Sequence, residues 1–276
     1  MLFRVQDRIR TGCPLLAFLL ASVVFSVLSR SAGTQTPADV LSIAAAADLS
    51  YAFEEATAAF EKRSGHKVRL SFGSSGNFYS QIQNGAPFDL FFSADVDYAR
   101  KLEAEGLAEP GSLYKYATGR IVLWVPADSS LEIAKLGLNA LLDPAAAKIA
   151  IANPQHAPYG RAAVAALQKA GIYDKIAGKL VLGENISQAA QFVVSGNAQA
   201  GIIALSLAVS PAMRDKGRYH VIPQEDYPPI EQAAVILKAS PRKEIAAAFL
   251  AYLKSAEGTA LLKRYGFVLP GPDGRK

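Results

Sequence analysis

An α/β fold in two lobes, each built on a mainly parallel sheet flanked by helices, is the architecture this sequence predicts. Three observations carry that reading. Short apolar runs alternate with amphipathic helical stretches from residue 40 onward. Glycine or proline closes several of these elements, at Gly65, Gly106 and Pro126. The alternation falls into two sets that meet near residue 120, with no flexible linker or internal repeat between them. With 276 residues, 51% hydrophobic and 19% charged, the chain is long enough for two cores and ordinary enough in composition to fill them.

The elements follow in order. Residues 40–46 read as a buried strand, and Leu49, Phe53, Ala56 and Phe60 then fall at spacings of four, three and four, one face of a helix. Residues 67–72 make a second strand, 78–83 a short helix, 89–93 a third strand and 98–106 a helix. The second set opens with a strand over 121–125 and continues with a strand at 148–152 and a helix at 160–170. A strand at 180–182, a helix at 188–194 and strands at 201–205 and 233–237 follow, and helices over 243–254 and 256–265 close the chain. Two sets without a linker imply lobes joined by strands. The crossings are placed near 117–121 and 231–235, which assigns residues 39–117 and 233–276 to lobe I and 118–232 to lobe II.

The first 33 residues stand apart. Arg4, Arg8 and Arg10 precede an apolar run over 14–28, and a small, polar stretch follows from Ser29 to Thr34. That order reads as an export signal cleaved near Ser31–Gly33. As a membrane anchor the run falls short of the roughly 20 residues that span a bilayer. Cys13, the only cysteine, precedes the run and leaves with the signal, so no disulfide or thiol chemistry is expected afterwards. Residues 1–33 hold four Arg and one Asp, a net +3, so their removal takes the formal charge from +5 to +2. No basic cluster points to a nucleic acid.

Four places share one pattern, a strand, a tight turn of small or polar residues, then a helix start. They are residues 45–48 (AAAD), 73–77 (GSSGN), 153–160 (NPQHAPYG) and 183–187 (GENIS). Helix N-termini leave backbone N–H groups unpaired and carry partial positive charge. Several of them aimed at one point bind an anion without any cationic side chain. In open α/β sheets such turns lie at the carboxyl ends of the strands, where ligands bind. Two turns come from each set, as a cleft that closes on its guest requires. Gly73 and Gly76 flank the Ser74 and Ser75 hydroxyls and permit close approach, while Pro154 and Pro158 stiffen the loop before Tyr159.

These segments carry a resemblance. Residues 44–52, 73–95 (GSSGNFYSQIQNGAPFDLFFSAD), 116–124 (YATGRIVLW), 149–160 (IAIANPQHAPYG), 184–188 (ENISQ) and 264–270 (RYGFVLP) are similar, in the same order, to the periplasmic molybdate-binding proteins of ABC transporters. Those belong to the two-lobed, type II periplasmic binding proteins, which hold their ligand in the interlobe cleft. The resemblance implies capture of molybdate or tungstate for a membrane permease and its ATPase, by a monomer without a cofactor. It implies ion contacts at Ala47 and Asp48 through backbone N–H, at Ser75 through hydroxyl and N–H, and at Tyr159 and Ile186 through backbone N–H. Two departures bear on the donor set. Asp48 stands where some relatives have a hydroxyl residue, and Ala204 stands where some have a tyrosine.

Asp48 has two readings. As an N-cap, its carboxylate accepts from the first turn of the helix starting at Leu49, and Asp is among the preferred residues there. Facing the ligand, it repels a fully ionised oxyanion but accepts the proton that phosphate still carries near neutrality, which keeps phosphate open as a guest. Sulfate shares the molybdate charge and differs in size. An enzyme of phosphoryl transfer would need a Gly-Lys-Ser/Thr loop, metal-binding carboxylates or a base beside Ser74 and Ser75, and none is evident. An organic acid would call for an arginine in the turns, and Arg161 is the nearest. His66 and His220 read as structural, His156 as a solvent-exposed loop residue, and Tyr116 and Trp124 as packing near the crossing. Three histidines without ligand spacing make no metal site.

Overall fold

The computed structural model describes residues 40–271, so the export signal read over residues 1–33, with Cys13, lies outside the described residues. The first lobe runs β1 (Val40–Ala46), a 3₁₀ turn at Ala47–Leu49, α1 (Ser50–Ser64), β2 (Lys67–Gly73), α2 (Ser75–Gln83), β3 (Leu90–Ser93), α3 (Val96–Ala104) and β4 (Tyr114–Gly119). The chain then builds the second lobe from β5 (Ile121–Pro126), α4 (Ile133–Leu136), β6 (Ile149–Ala152), α5 (Pro158–Lys169), α6 (Tyr173–Ile176), β7 (Leu180–Gly183), α7 (Ile186–Val194), β8 (Ala200–Ala204), α8 (Leu205–Ala208) and β9 (Gly217–Val221). It returns through β10 (Ile230–Ile236) and ends in α9 (Lys243–Lys254) and α10 (Ala256–Arg264).

The two sheets share one plan, β2-β1-β3-β10-β4 and β7-β6-β8-β5-β9. In each, one strand, β10 or β5, runs against the other four. The reversed strand is the one that arrives from the other lobe. Chain crossing the cleft enters at the carboxyl ends of the parallel strands, so it can only run down the sheet in the opposite sense. The four strand-to-helix turns therefore sit on the cleft edge of both sheets.

Strand membership moves the lobe edges expected from sequence. Residues 118–119 and 230–232, assigned to lobe II, are strand residues of the first sheet, with Thr118 also bridging Val268. Arg120 alone separates β4 from β5, and residues 222–229 carry the chain back. β4 and β9 themselves were not anticipated as strands. β4 is bulged, since Gln232 of β10 faces Ala117 while Ala233 faces Lys115, which leaves Tyr116 as the extra residue.

Periodicity also places four helix starts too late. α2, α3, α5 and α7 each begin two or three residues before the positions that periodicity gave. Ser75 and Gly76 open α2 and Pro158 opens α5, while Val96 and Ile186 open α3 and α7 one turn ahead of the next apolar position, so the repeat is too short to register there.

Each lobe has its own core. On one face of the first sheet Phe53 stacks edge-on against Phe92, with centroids 4.8 Å apart, and Phe249 of α9 meets Phe53 at 5.9 Å and Phe60 at 5.2 Å. Phe78, Ile82, Phe91, Leu102 and Val235 fill the other face. The second core gathers Leu123, Trp124, Ile151, Tyr159, Ile186 and Ile203, and it reaches across to Ala46, Ala47 and Ala94 of the first lobe. Phe249→Ala should cost about 3–5 kcal/mol, because it removes the ring that joins α9 to α1 and β3. Chemical denaturation monitored by circular dichroism checks this, and a loss under about 1 kcal/mol would contradict it.

Candidate functional site

The four turns converge. A small cavity between the lobes is lined by Ala46, Ala47, Asp48, Gly73, Ser74, Ser75, Ala94, Ala157, Pro158, Tyr159, Asn185 and Ile186. All five residues singled out from sequence, Ala47, Asp48, Ser75, Tyr159 and Ile186, line it. No lysine or arginine does.

Local structure explains which donors are spent and which are left. Asn185 caps α7 by accepting from the Gln188 N–H at 3.0 Å, and the Gln188 side chain accepts in turn from the Glu184 N–H at 2.6 Å. Helical geometry leaves the N–H of Ile186, at the first position of α7, without an intrahelical acceptor. Pro158 opens α5 and has no N–H, so Tyr159 supplies the first one of that helix. Ser75 starts α2, and its buried hydroxyl accepts from the Ala94 N–H at 2.9 Å. With its acceptor role filled, the hydroxyl keeps its proton for another partner.

The lobes are clasped across this cavity by contacts that sequence did not reveal. Ser187 Oγ donates to the Ala47 carbonyl at 2.8 Å, and Ser206 Oγ to the Asp48 carbonyl at 2.7 Å. The Gly76 N–H donates to the His156 carbonyl at 3.0 Å, and Ser74 Oγ lies 2.9 Å from His156 Nδ1. A Cβ on Gly76 would sit 2.7 Å from that carbonyl oxygen, so only glycine permits the approach. His156 is thus a half-buried interlobe contact, and the solvent-exposed reading of it does not hold.

Asp48 differs most from expectation. Its side chain makes no cap bond to α1, so the N-cap reading fails. Asp48 is instead buried, and its Oδ2 accepts from the Tyr159 hydroxyl at 2.8 Å and from Gln232 Nε2 at 2.7 Å. Gln232 Nε2 also lies 3.0 Å from the Tyr159 oxygen, and Gln232 Oε1 accepts from the Tyr116 hydroxyl at 2.6 Å. The β4 bulge is what brings Tyr116 to this position, so its role exceeds the packing read from sequence. Gly119 closes the group, since a Cβ there would fall 2.1 Å from the Tyr159 oxygen. Oδ1 of Asp48 is buried without any hydrogen-bond partner. Burial pushes the Asp48 carboxyl up to about 6, against the opposing pull of its bonds to Gln232 and Tyr159. Burial and then the neighbouring carboxylate hold both tyrosine hydroxyls well above their ordinary range, so they stay protonated and donate.

The signal for this group was faint. Gln232 is a lone amide in the otherwise apolar stretch 232–236, and Ser206 follows β8 with no motif around it. A larger cavity of about 410 Å³ opens next to the first, bordered by Asp95, Asp97, Arg100, Arg161 and Glu231. Carboxylates outnumber guanidiniums there, and Arg161 pairs with Asp95, so it lacks the character of an anion site. Among the described residues no group of three His, Cys, Asp or Glu side chains is arranged to hold a metal ion.

Two α/β lobes, linked by crossing strands and meeting helix-end to helix-end around a buried cleft, define a receptor that encloses a small solute. The chain belongs to the family of bacterial extracellular solute-binding proteins, whose model matches residues 41–268. It is 40% identical over 225 residues to the molybdate-binding protein ModA of Rhodobacter capsulatus, covering 82% of this chain and 86% of that one. It is 39% identical over 255 residues to ModA of Azotobacter vinelandii, covering 92% of this chain and all of the relative. The solved periplasmic molybdate-binding protein of Azotobacter vinelandii superposes with a TM-score of 0.79 at 36% identity, over 84% of this chain and 100% of that one.

The raised Asp48 carboxyl sets a pH dependence of stability. The folded state holds this proton more tightly than the unfolded chain, whose value is near 3.8. The contribution is therefore full below about pH 4 and is lost as pH rises through about 6, at a cost on the order of 3 kcal/mol. Asp48→Asn should flatten the stability profile between about pH 4 and 7 when measured without added ligand. Parallel profiles for the two proteins would contradict the assignment.

Proposed function

We propose that this protein captures a tetrahedral, fully ionised oxyanion, molybdate or tungstate, outside the inner membrane and hands it to an ABC importer made of a permease and an ATPase. In this reading the export signal is cleaved, the protein works in the periplasm, and it needs no cofactor. The observation that carries the proposal is the convergence of helix N-termini on a buried cavity free of cationic side chains. Peptide N–H groups there replace water around a double negative charge. The molybdate-binding relatives support the choice of ion.

Contacts are assigned to the N–H groups of Ala47, Asp48, Ser75, Tyr159 and Ile186 and to the Ser75 hydroxyl. Sulfate and molybdate carry the same charge, so discrimination rests on size. Donors fixed by helices match one oxygen-to-centre distance and lose bonds to a smaller ion. Molybdate and tungstate are nearly equal in size and should bind alike. Phosphate remains the second reading because of one observation, the buried carboxylate oxygen of Asp48 that lacks a donor.

Thermal shift and titration calorimetry test this directly. Molybdate and tungstate should raise the melting temperature by mass action, far more than sulfate or phosphate at equal concentration. Ser75→Ala should weaken molybdate binding by about 1.5–3 kcal/mol, roughly tenfold or more, since it deletes a bond to a charged guest. His66→Ala, remote from the cavity, should leave binding unchanged. A larger shift with phosphate than with molybdate would sink the assignment of the ion.

A further inference from the structure

We infer that Asp48 binds a proton together with the oxyanion, so that the site takes up one dianion and one hydrogen ion, the latter held on Asp48 Oδ1. The inference rests on the oxyanion reading above and deepens it. Three observations point the same way. Asp48 lines the cavity and is buried, with 1% of its surface exposed. Its Oδ2 already receives two hydrogens, from Tyr159 and Gln232, which leaves no room for a third. Its Oδ1 receives no hydrogen bond from any other residue.

A buried carboxylate oxygen without a donor is costly, and a second anion beside it raises the cost. Protonation at Oδ1 answers both difficulties. It removes the like charge next to the guest and turns an acceptor without a donor into a donor. The carboxyl is already poised for this, its pKa being pushed up to about 6 by burial. A dianion in the same cavity pushes it further in that direction.

No cationic side chain acts on this carboxyl, and His156, bonded to Ser74 on the cavity wall, has Glu184 beside its other ring nitrogen at 3.8 Å. Tyr159 of α5 and Tyr116 of β4 face the carboxyl and keep their protons. α7 and α8, which pack on the same turn, contain no titratable side chain. α1 contributes the half-buried Tyr51 and turns Glu54, Glu55, Lys62 and Arg63 to solvent, its Glu61 pairs with Lys67 at the start of β2, and Arg69 is exposed near that same end. The hydrogen ion therefore comes from bulk solvent, and the balance is carboxylate plus hydrogen ion plus dianion giving carboxylic acid plus bound dianion.

The competing arrangement keeps Asp48 ionised and lets the guest bring the hydrogen, as monohydrogen phosphate can. The two differ in proton count. Calorimetric titration of sodium molybdate and of sodium phosphate, at roughly pH 7.5 in buffers of different ionisation enthalpy, measures the protons exchanged per ion bound. The native protein should take up close to one proton per molybdate, and its affinity should fall by up to tenfold per pH unit above about pH 6. Asp48→Asn should bind molybdate without proton uptake and with a flat pH profile. Uptake near zero in the native protein overturns the inference while leaving molybdate capture intact, and so does uptake undiminished in Asp48→Asn. Failure of molybdate and tungstate to bind at any pH overturns the choice of molybdate or tungstate as the guest, and phosphate binding without proton exchange would then assign Asp48 as the acceptor. If the variant does not fold, infrared difference spectra of the native protein decide the matter. A carboxylic-acid carbonyl band should appear on molybdate addition, and its absence rejects the proposal.

Discussion

Taking a doubly charged ion out of water without a counter-charge demands many weak dipoles at one point, held there before the ion arrives. A single helix end supplies a fraction of a unit charge and a few free N–H groups. Four of them, two from each lobe, are needed to surround a guest. That requirement explains the sheet plan. Both lobes place the carboxyl ends of their parallel strands on the cleft, and the strands that join the lobes are the ones that run in reverse. Topology here serves the site before it serves the core.

The same requirement explains why the lobes meet through hydroxyls. Ser187 and Ser206 donate to the carbonyls of Ala47 and Asp48, and Tyr159 donates to the Asp48 carboxyl. All three come from the second lobe and converge on one short turn of the first. Fixing that turn fixes the direction of its N–H groups. Gln232 and Tyr116 support it from beneath, beside the Gly119–Ile121 crossing, so the floor of the site and the joint between the lobes are one piece of structure.

Much of this was legible in the chain. Strand and helix alternation gave the α/β class, and the small-residue turns at 45–48, 73–77, 153–160 and 183–187 marked the cleft edge, because turn chemistry and helix starts are local properties. What escaped was non-local. The β4 bulge depends on the register with β10, which no window of sequence contains. Gln232 and Ser206 meet at Asp48, which lies 184 and 158 residues away from them in the chain. Asp48 escapes for the opposite reason. Local statistics favour an aspartate capping the helix behind it, yet Tyr159 and Gln232 claimed the carboxylate from elsewhere in the fold.

A cavity walled by peptide groups also constrains how it can change. Of the five residues assigned to the guest, three, Ala47, Tyr159 and Ile186, would reach it through the main chain alone, and exchanging their side chains leaves those amides in place. A different ionic radius could not be accommodated by swapping one residue for another of like chemistry. The loops themselves would have to shift, carrying two sheets and their joining strands along, and such a change comes by insertion, deletion or a new turn type more readily than by point substitution. Only Ser75 and Asp48 stand outside that rule, which makes them the two places where ordinary mutation can retune what the cleft prefers.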